Sequence, residues 1–185
     1  MGYSKSIIAI AGNHLDQTDG LFKAFKYFDL GKDKQFGNWP DAASYLFDNF
    51  LKLANDDIAI RGIWSNGKWT VICDPEMVDI MEEDMIEDLS VKLKATVLTF
   101  LVHSTSGTYE FARYEEEKLR HFQLFEGVVV ENEGAPLPEE EGLNINEKIT
   151  EQDLIGLAAR FGLDLDFADV NTKFTVKELG YNDEL

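Results

Sequence analysis

Arg61, Arg113 and Arg120 are the residues whose type and setting point most directly to chemistry. Each falls in a stretch that reads as a β-strand, where a guanidinium is less usual than on a helix surface. Such forks converging on a sheet would receive an anionic ligand through paired hydrogen bonds. Ion pairs with nearby acids account for them adequately, so a small-molecule or enzyme site on the sheet is the alternative rather than the leading reading. The histidines His14, His103 and His121 are isolated in sequence, and Cys73 is the one cysteine, at the end of an apolar run with no base beside it. A thiol in that setting is a small buried hydrophobe, not an activated nucleophile. Phosphate loops, GxGxxG, GxSxG, HExxH and paired CxxC are all absent. The sequence therefore assigns no catalytic residue, no metal-ligand set and no cofactor.

Carboxylates are the other chemical resource. The formal net charge is −18, and its distribution says more than its size. Asp74–Asp88 holds eight carboxylates and neither lysine nor arginine, while Glu126–Asp153 holds nine against Lys148 alone. Those two segments carry 16 of the 18 excess charges. Nucleic-acid binding needs a basic face, and none is visible, so direct contact with a phosphate backbone is not expected. A basic protein partner is the complementary expectation, because regional charge steers encounter and raises association rates. The residues expected at such a surface are Asp79, Glu82, Glu83 and Glu87 in the first segment and Glu139, Glu140 and Glu141 in the second. A solvated face that only keeps the chain soluble would have the same composition.

The elements that must position these groups follow from periodicity. Ser6–Ile10 reads as a first strand. Leu21, Phe25 and Phe28 predict a helix within Asp19–Leu30, and GKDKQFGN reads as a polar connector. Trp39-Pro40-Asp41 opens a helix whose stripe is Ala43, Leu46, Phe47, Phe50 and Ala54. Ile58–Trp64 and Lys68–Cys73 flank Asn66-Gly67, a type I′ hairpin signal that could pair Trp64 with Trp69. Pro75 starts a helix with Val78, Met81, Met85 and Leu89 inward, and Met77, Met81 and Met85 read as core. Ala95–Val102, Thr108–Tyr114, Leu119–Phe125 and Gly127–Val130 form a meander that Pro136 and Pro138 end. Thr150–Asp153 is a capping box for a helix carrying Leu154, Leu157, Ala158 and Phe161, which Gly162 stops. Lys173–Val176 is a short last strand. Phe47, Phe50, Val71, Leu98, Phe100 and Leu157 are the predicted core.

This order of elements predicts one α+β domain over residues 1–185, a curved, mainly antiparallel sheet with packed helices and an acidic, proline-containing loop near 131–149. The sequence has no run of 18 apolar residues and MGYSKS lacks the regions of a signal peptide, so the expectation is a cytoplasmic protein without membrane insertion. WTVICDP, a helix ending in DLS, SGTYEF, KLRHF and EGAPLPEE resemble a group of small bacterial proteins of uncharacterised function, of the immunity and orphan type found near polymorphic toxin systems. The resemblance runs from about Ile58 to Gly162. It implies a single compact, cytoplasmic and bacterial α+β domain and carries no active-site residues; an immunity protein that binds and neutralises a basic toxin, such as a nuclease, is the concrete form of the basic-partner expectation.

Overall fold

The first apolar run becomes strand β1 (Ser4–Ala11), buried along its centre, in a computed structural model that describes residues 2–167 and 172–182. Helix α1 (Thr18–Ala24) ends earlier than the spacing of Leu21, Phe25 and Phe28 predicts. Lys26 takes a φ of 60°, a left-handed conformation that a helix interior does not accept, and Tyr27–Asp29 then forms strand β2. The polar connector contains a further short strand, β3 (Lys34–Phe36). Helix α2 (Trp39–Ala54) starts where expected, with Pro40 in its first turn and the Asn38 side chain accepting from Asp41 N at 2.9 Å. Its inward line runs through Ala42 and Leu46, which leaves Phe47 and Phe50 half-buried at the margin of the core.

Strands β4 (Ile58–Ser65) and β5 (Trp69–Cys73) form the expected hairpin, displaced by one residue. Asn66 N donates to Trp69 O at 3.1 Å, so Gly67 and Lys68 are the central pair. Only Gly67 has positive φ, at 88°, which is the requirement of type II′ and not of I′. Asn66 acts through its side chain, whose Oδ1 accepts from Lys68 N and Trp69 N. Trp64 lies opposite Val71 and packs on Trp39 and Phe167 instead of on Trp69.

Helix α3 (Glu83–Leu93) also starts late. Asp74 accepts from the backbone N–H of Glu76, Val78 and Asp79 at 2.7–2.8 Å, and these bonds fold the segment after Pro75 into a turn. Val78 and Met81 are consequently exposed, and Ile80 and Ile86 face inward in their place, beside Leu89 as expected. The meander follows as β6 (Val97–His103), β7 (Thr108–Glu115), β8 (Glu117–Phe125) and β9 (Val128–Glu133). The segment after β9 is not the free loop expected. Ile145 and Ile149 are buried, and a tight turn at Pro138–Glu140 sits against the sheet. Helix α4 (Glu151–Arg160) carries the predicted Thr150–Asp153 capping box, and the last strand, β10 (Phe174–Tyr181), is longer than predicted.

The fold is α+β, with one ten-stranded sheet in the order β2-β10-β4-β5-β1-β6-β7-β8-β9 and β3 also on β10. Every pairing is antiparallel. Side chains alternate across a strand, so both faces of the sheet build a core. Ile7, Ala9, Val71, Leu98, Phe100 and Phe122 pack under α2 and α4. Ile8, Ile10, Ile72, Leu101 and Ala112 pack under α1 and α3. That parity decides where each chemical group points. Arg120 lies on the α2/α4 face with Phe122, and its neighbour His121 lies on the α1/α3 face with Glu110.

Candidate functional site

The three arginines do not converge. Arg61 is fully buried on β4, facing α1 and α3. Its Nε and Nη2 donate to the two Asp79 oxygens at 2.6 and 2.9 Å, Nη1 donates to Glu76 at 2.6 Å and to Ile60 O at 2.9 Å, and Nη2 also donates to Tyr27 Oη at 2.8 Å. The fork is saturated from within the fold. Asp79, expected at a docking surface, is buried as its bidentate partner. Burial is the largest influence on Asp74, beside the same guanidinium, and pushes its carboxyl up; the Arg61 charge and two backbone N–H donors oppose this.

Arg120 is saturated in the same way on the opposite face. Nε and Nη2 grip Glu140 at 2.7–3.1 Å, and Nη1 donates to Asn132 Oδ1 at 2.8 Å and Glu133 O at 2.6 Å. Glu140 is therefore an internal anchor for the segment after β9, not a surface acid. Its neighbours lie over α4, where Arg160 donates to Glu139 O and to Glu141 O. Arg113 is half-buried and donates from Nε to Glu115 at 3.0 Å. Surface depressions of ≈ 790 Å³ beside Phe28, Ile58 and Tyr181 and ≈ 350 Å³ beside Lys94 and Glu116 include none of these arginines and no histidine.

What the fold does bring together is an acidic face made by α3 and β9. Glu83, Glu87 and Ser90 recur at helical spacing along the side of α3 that meets the β7–β8 turn: Lys118 N donates to Glu87 at 3.1 Å and Glu116 N donates to Ser90 at 2.9 Å. Lys118 Nζ then joins the two charged segments, 2.9 Å from Glu83 and 3.5 Å from Glu133. Its partners outweigh its own burial and raise its pKa. Glu131 and Glu133 are exposed beside it, whereas Glu82 is exposed on the side of α3 that faces Phe25, Lys26 and Tyr181. Of the seven acids expected at a docking surface, Glu83 and Glu87 belong to this face, and Glu82 lies on the α1 side of α3. Asp79 and Glu140 are internal, and Glu139 and Glu141 lie with α4 on the other side of the sheet.

No family model, curated protein or solved structure matches the chain. The site therefore stands on its own geometry. Beneath the acidic face, His121 is buried with Nε2 3.0 Å from Glu110 Oε1 and Nδ1 2.7 Å from Glu131 Oε2. Burial lowers the imidazole pKa, but the Glu110 hydrogen bond and charge prevail and raise it. His121, Glu131 and Glu133 are also the one group among the described residues whose ligand atoms, all within 4.8 Å of one another, could hold a metal ion. Sequence reasoning passed over Glu110, Lys118, His121, Glu131 and Glu133 as a set. The sequence ends the last meander strand at Val130 and puts Glu131 and Glu133 in the acidic loop, whereas β9 runs on to Glu133 and its register sets Glu133 opposite His121.

Proposed function

We propose that the chain is an acidic, non-catalytic binding protein of the immunity type, whose α3–β9 face docks a basic protein and neutralises it. The observation that carries this reading is Lys118, which ties Glu83 of one acidic segment to Glu133 of the other and so makes their charges a single surface. Grouped like charges destabilise a fold slightly, and a basic partner offsets that cost. The exposed edge strand β9 is interrupted by a register shift opposite Gln123/Leu124 and carries Glu131 and Glu133. Bulges and charges of this kind discourage pairing with a second copy, which the net charge of −18 opposes further. A basic toxin such as a nuclease, met in the cytoplasm, is the concrete partner, in line with the resemblance of the turn and strand motifs. Among the described residues no helix is long and apolar enough to cross a membrane.

Affinity capture with the tagged chain, followed by hydrogen-exchange mapping of the purified complex, tests this. A basic partner should protect Glu83–Glu87 and Val128–Glu133 and leave Glu139–Glu141 unchanged. Co-expression should also relieve that partner's toxicity. A footprint on the α2/α4 face, or a partner without basic character, refutes the assignment.

A further inference from the structure

The α3–β9 face holds a group that charge alone does not explain. His121 is 3% exposed, and its Nδ1 makes no hydrogen bond even though Glu131 Oε2 is 2.7 Å away. The contact is short but misdirected. A protonated imidazole would aim its N–H along the line to the oxygen. Ligand atoms that share one small cation stand roughly 3 Å apart without pointing at each other, because each points at the ion about 2.0–2.2 Å away.

The other side of the ring is fixed. Nε2 is 3.0 Å from Glu110 Oε1, and the second Glu110 oxygen accepts from Gln123 Nε2 at 2.9 Å. An ionised Glu110 can only accept from His121, which places a proton on Nε2; the neutral imidazole then presents its Nδ1 lone pair. A carboxylate holding the far N–H of a ligating histidine is the recurrent outer-shell arrangement of metal sites. The three ligand positions also lie on one face of a rigid ribbon, since His121 is directly opposite Glu133 and Glu131 lies two residues along the same strand.

We propose that His121 Nδ1, Glu131 and Glu133 bind one divalent first-row transition cation, with water completing its coordination and Glu110 orienting the imidazole. An imidazole with two carboxylates suits Zn²⁺ and its neighbours, whereas Mg²⁺ and Ca²⁺ prefer oxygen alone. The glutamates reach solvent, with side chains 45% and 63% exposed, so the ion enters from outside without unfolding the strand. Lys118 yields to it by staying with Glu83, 2.9 Å from its Nζ. The cation would clamp edge strand β9 onto β8. This inference is independent of the docking reading, because it is tested on the chain alone and docking is measured in the presence of chelator.

The experiment is calorimetric titration of the chelator-stripped full chain with Zn²⁺, paralleled by Mg²⁺ and Ca²⁺, on the parent, Glu131→Gln, Glu133→Gln and the control Glu126→Gln. These side chains are exposed, so all the variants should fold, and thermal unfolding in chelator checks it. One Zn²⁺ per parent chain is expected, with at least tenfold weaker binding in Glu131→Gln and Glu133→Gln and parental binding in Glu126→Gln. The ¹⁵N resonance of His121 Nδ1 should shift on Zn²⁺ addition while Nε2 stays protonated. Absence of stoichiometric binding, equal binding of Mg²⁺ or Ca²⁺, equal binding by the glutamine variants, or an unmoved Nδ1 resonance each overturns the site.

Discussion

Replacing Glu140 by glutamine removes one charge and almost no volume, yet it should be among the most damaging single changes in the acidic segments. Arg120 and Glu140 have side chains only 1% and 2% exposed. One carboxylate accepts three contacts from the guanidinium, and its Oε2 also accepts from Leu137 N at 2.7 Å. In Glu140→Gln an amide N–H₂ replaces one of those acceptors and faces a donor, and the buried Arg120 charge loses its counter-ion. Breaking one side of a buried pair costs about 3–5 kcal/mol, a large part of a total stability of about 5–15 kcal/mol. In urea, with a slope of about 2 kcal/mol per M, the unfolding midpoint should fall by about 2 M. Glu141→Gln, on an exposed neighbour, should stay within about 0.5 kcal/mol of the parent. Replacing both partners by apolar residues, as in Arg120→Met/Glu140→Leu, should recover part of the loss, because no buried charge remains. If Glu140→Gln proves as mild as Glu141→Gln, the buried-anchor assignment is wrong.

Leu98→Ala should cost about 2–5 kcal/mol by denaturant unfolding, since Leu98 is fully buried between β1 and β7; a loss under about 1 kcal/mol would contradict that packing. Gly67→Val should destabilise by about 1–2 kcal/mol from its φ of 88° alone, since no atom lies within 4 Å of a new Cβ. Gly134→Ala should be worse, because its Cβ would lie 2.1 Å from Leu119 O at a φ of 76°; equal effects of the two would refute this reasoning. Lys5 donates to Leu165 O and lies 4.1 Å from the Phe167 ring, and burial lowers its pKa from 10.5 to about 8. A base with a depressed folded pKa binds fewer protons folded than unfolded, so stability should rise between pH 8 and 10 and Lys5→Met should abolish the rise; an identical pH profile for the variant would count against it.

The strands and helices that bury a regular stripe were legible in the sequence: β1, α2, the meander from β6 and the capped α4 all announce themselves by period and turn chemistry. What was not legible depended on partners distant in sequence. The region Tyr27–Asp29 has helical spacing, and only pairing with β10 at Leu179–Tyr181 makes it a strand. The start of α3 depends on Asp74 drawing three backbone N–H groups to itself. The seven expected docking acids divided for the same reason. Charge density says where carboxylates are plentiful, but Arg61 and Arg120, on opposite faces of the sheet, determine which of them leave the surface. The three-ligand group at His121 depends on the β8–β9 register and on side-chain parity, neither of which one sequence displays.

The central claim is that the α3–β9 face, rather than net charge alone, meets a basic partner. The direct measurement is the stopped-flow association rate with the captured partner across a range of salt. Three chains are compared: the parent, a patch variant (Glu83, Glu87, Glu131 and Glu133 all to Gln), and a charge-matched control with four exposed acids neutralised elsewhere (Asp16, Asp19, Asp41 and Asp48 all to Asn). Steering by a localised patch accelerates encounter by about 10–1000-fold at low salt. The account predicts that the patch variant loses at least tenfold in rate and most of its salt dependence, while the control stays within about twofold of the parent. Equal losses in both variants would mean that only total charge matters, and would contradict a defined docking face.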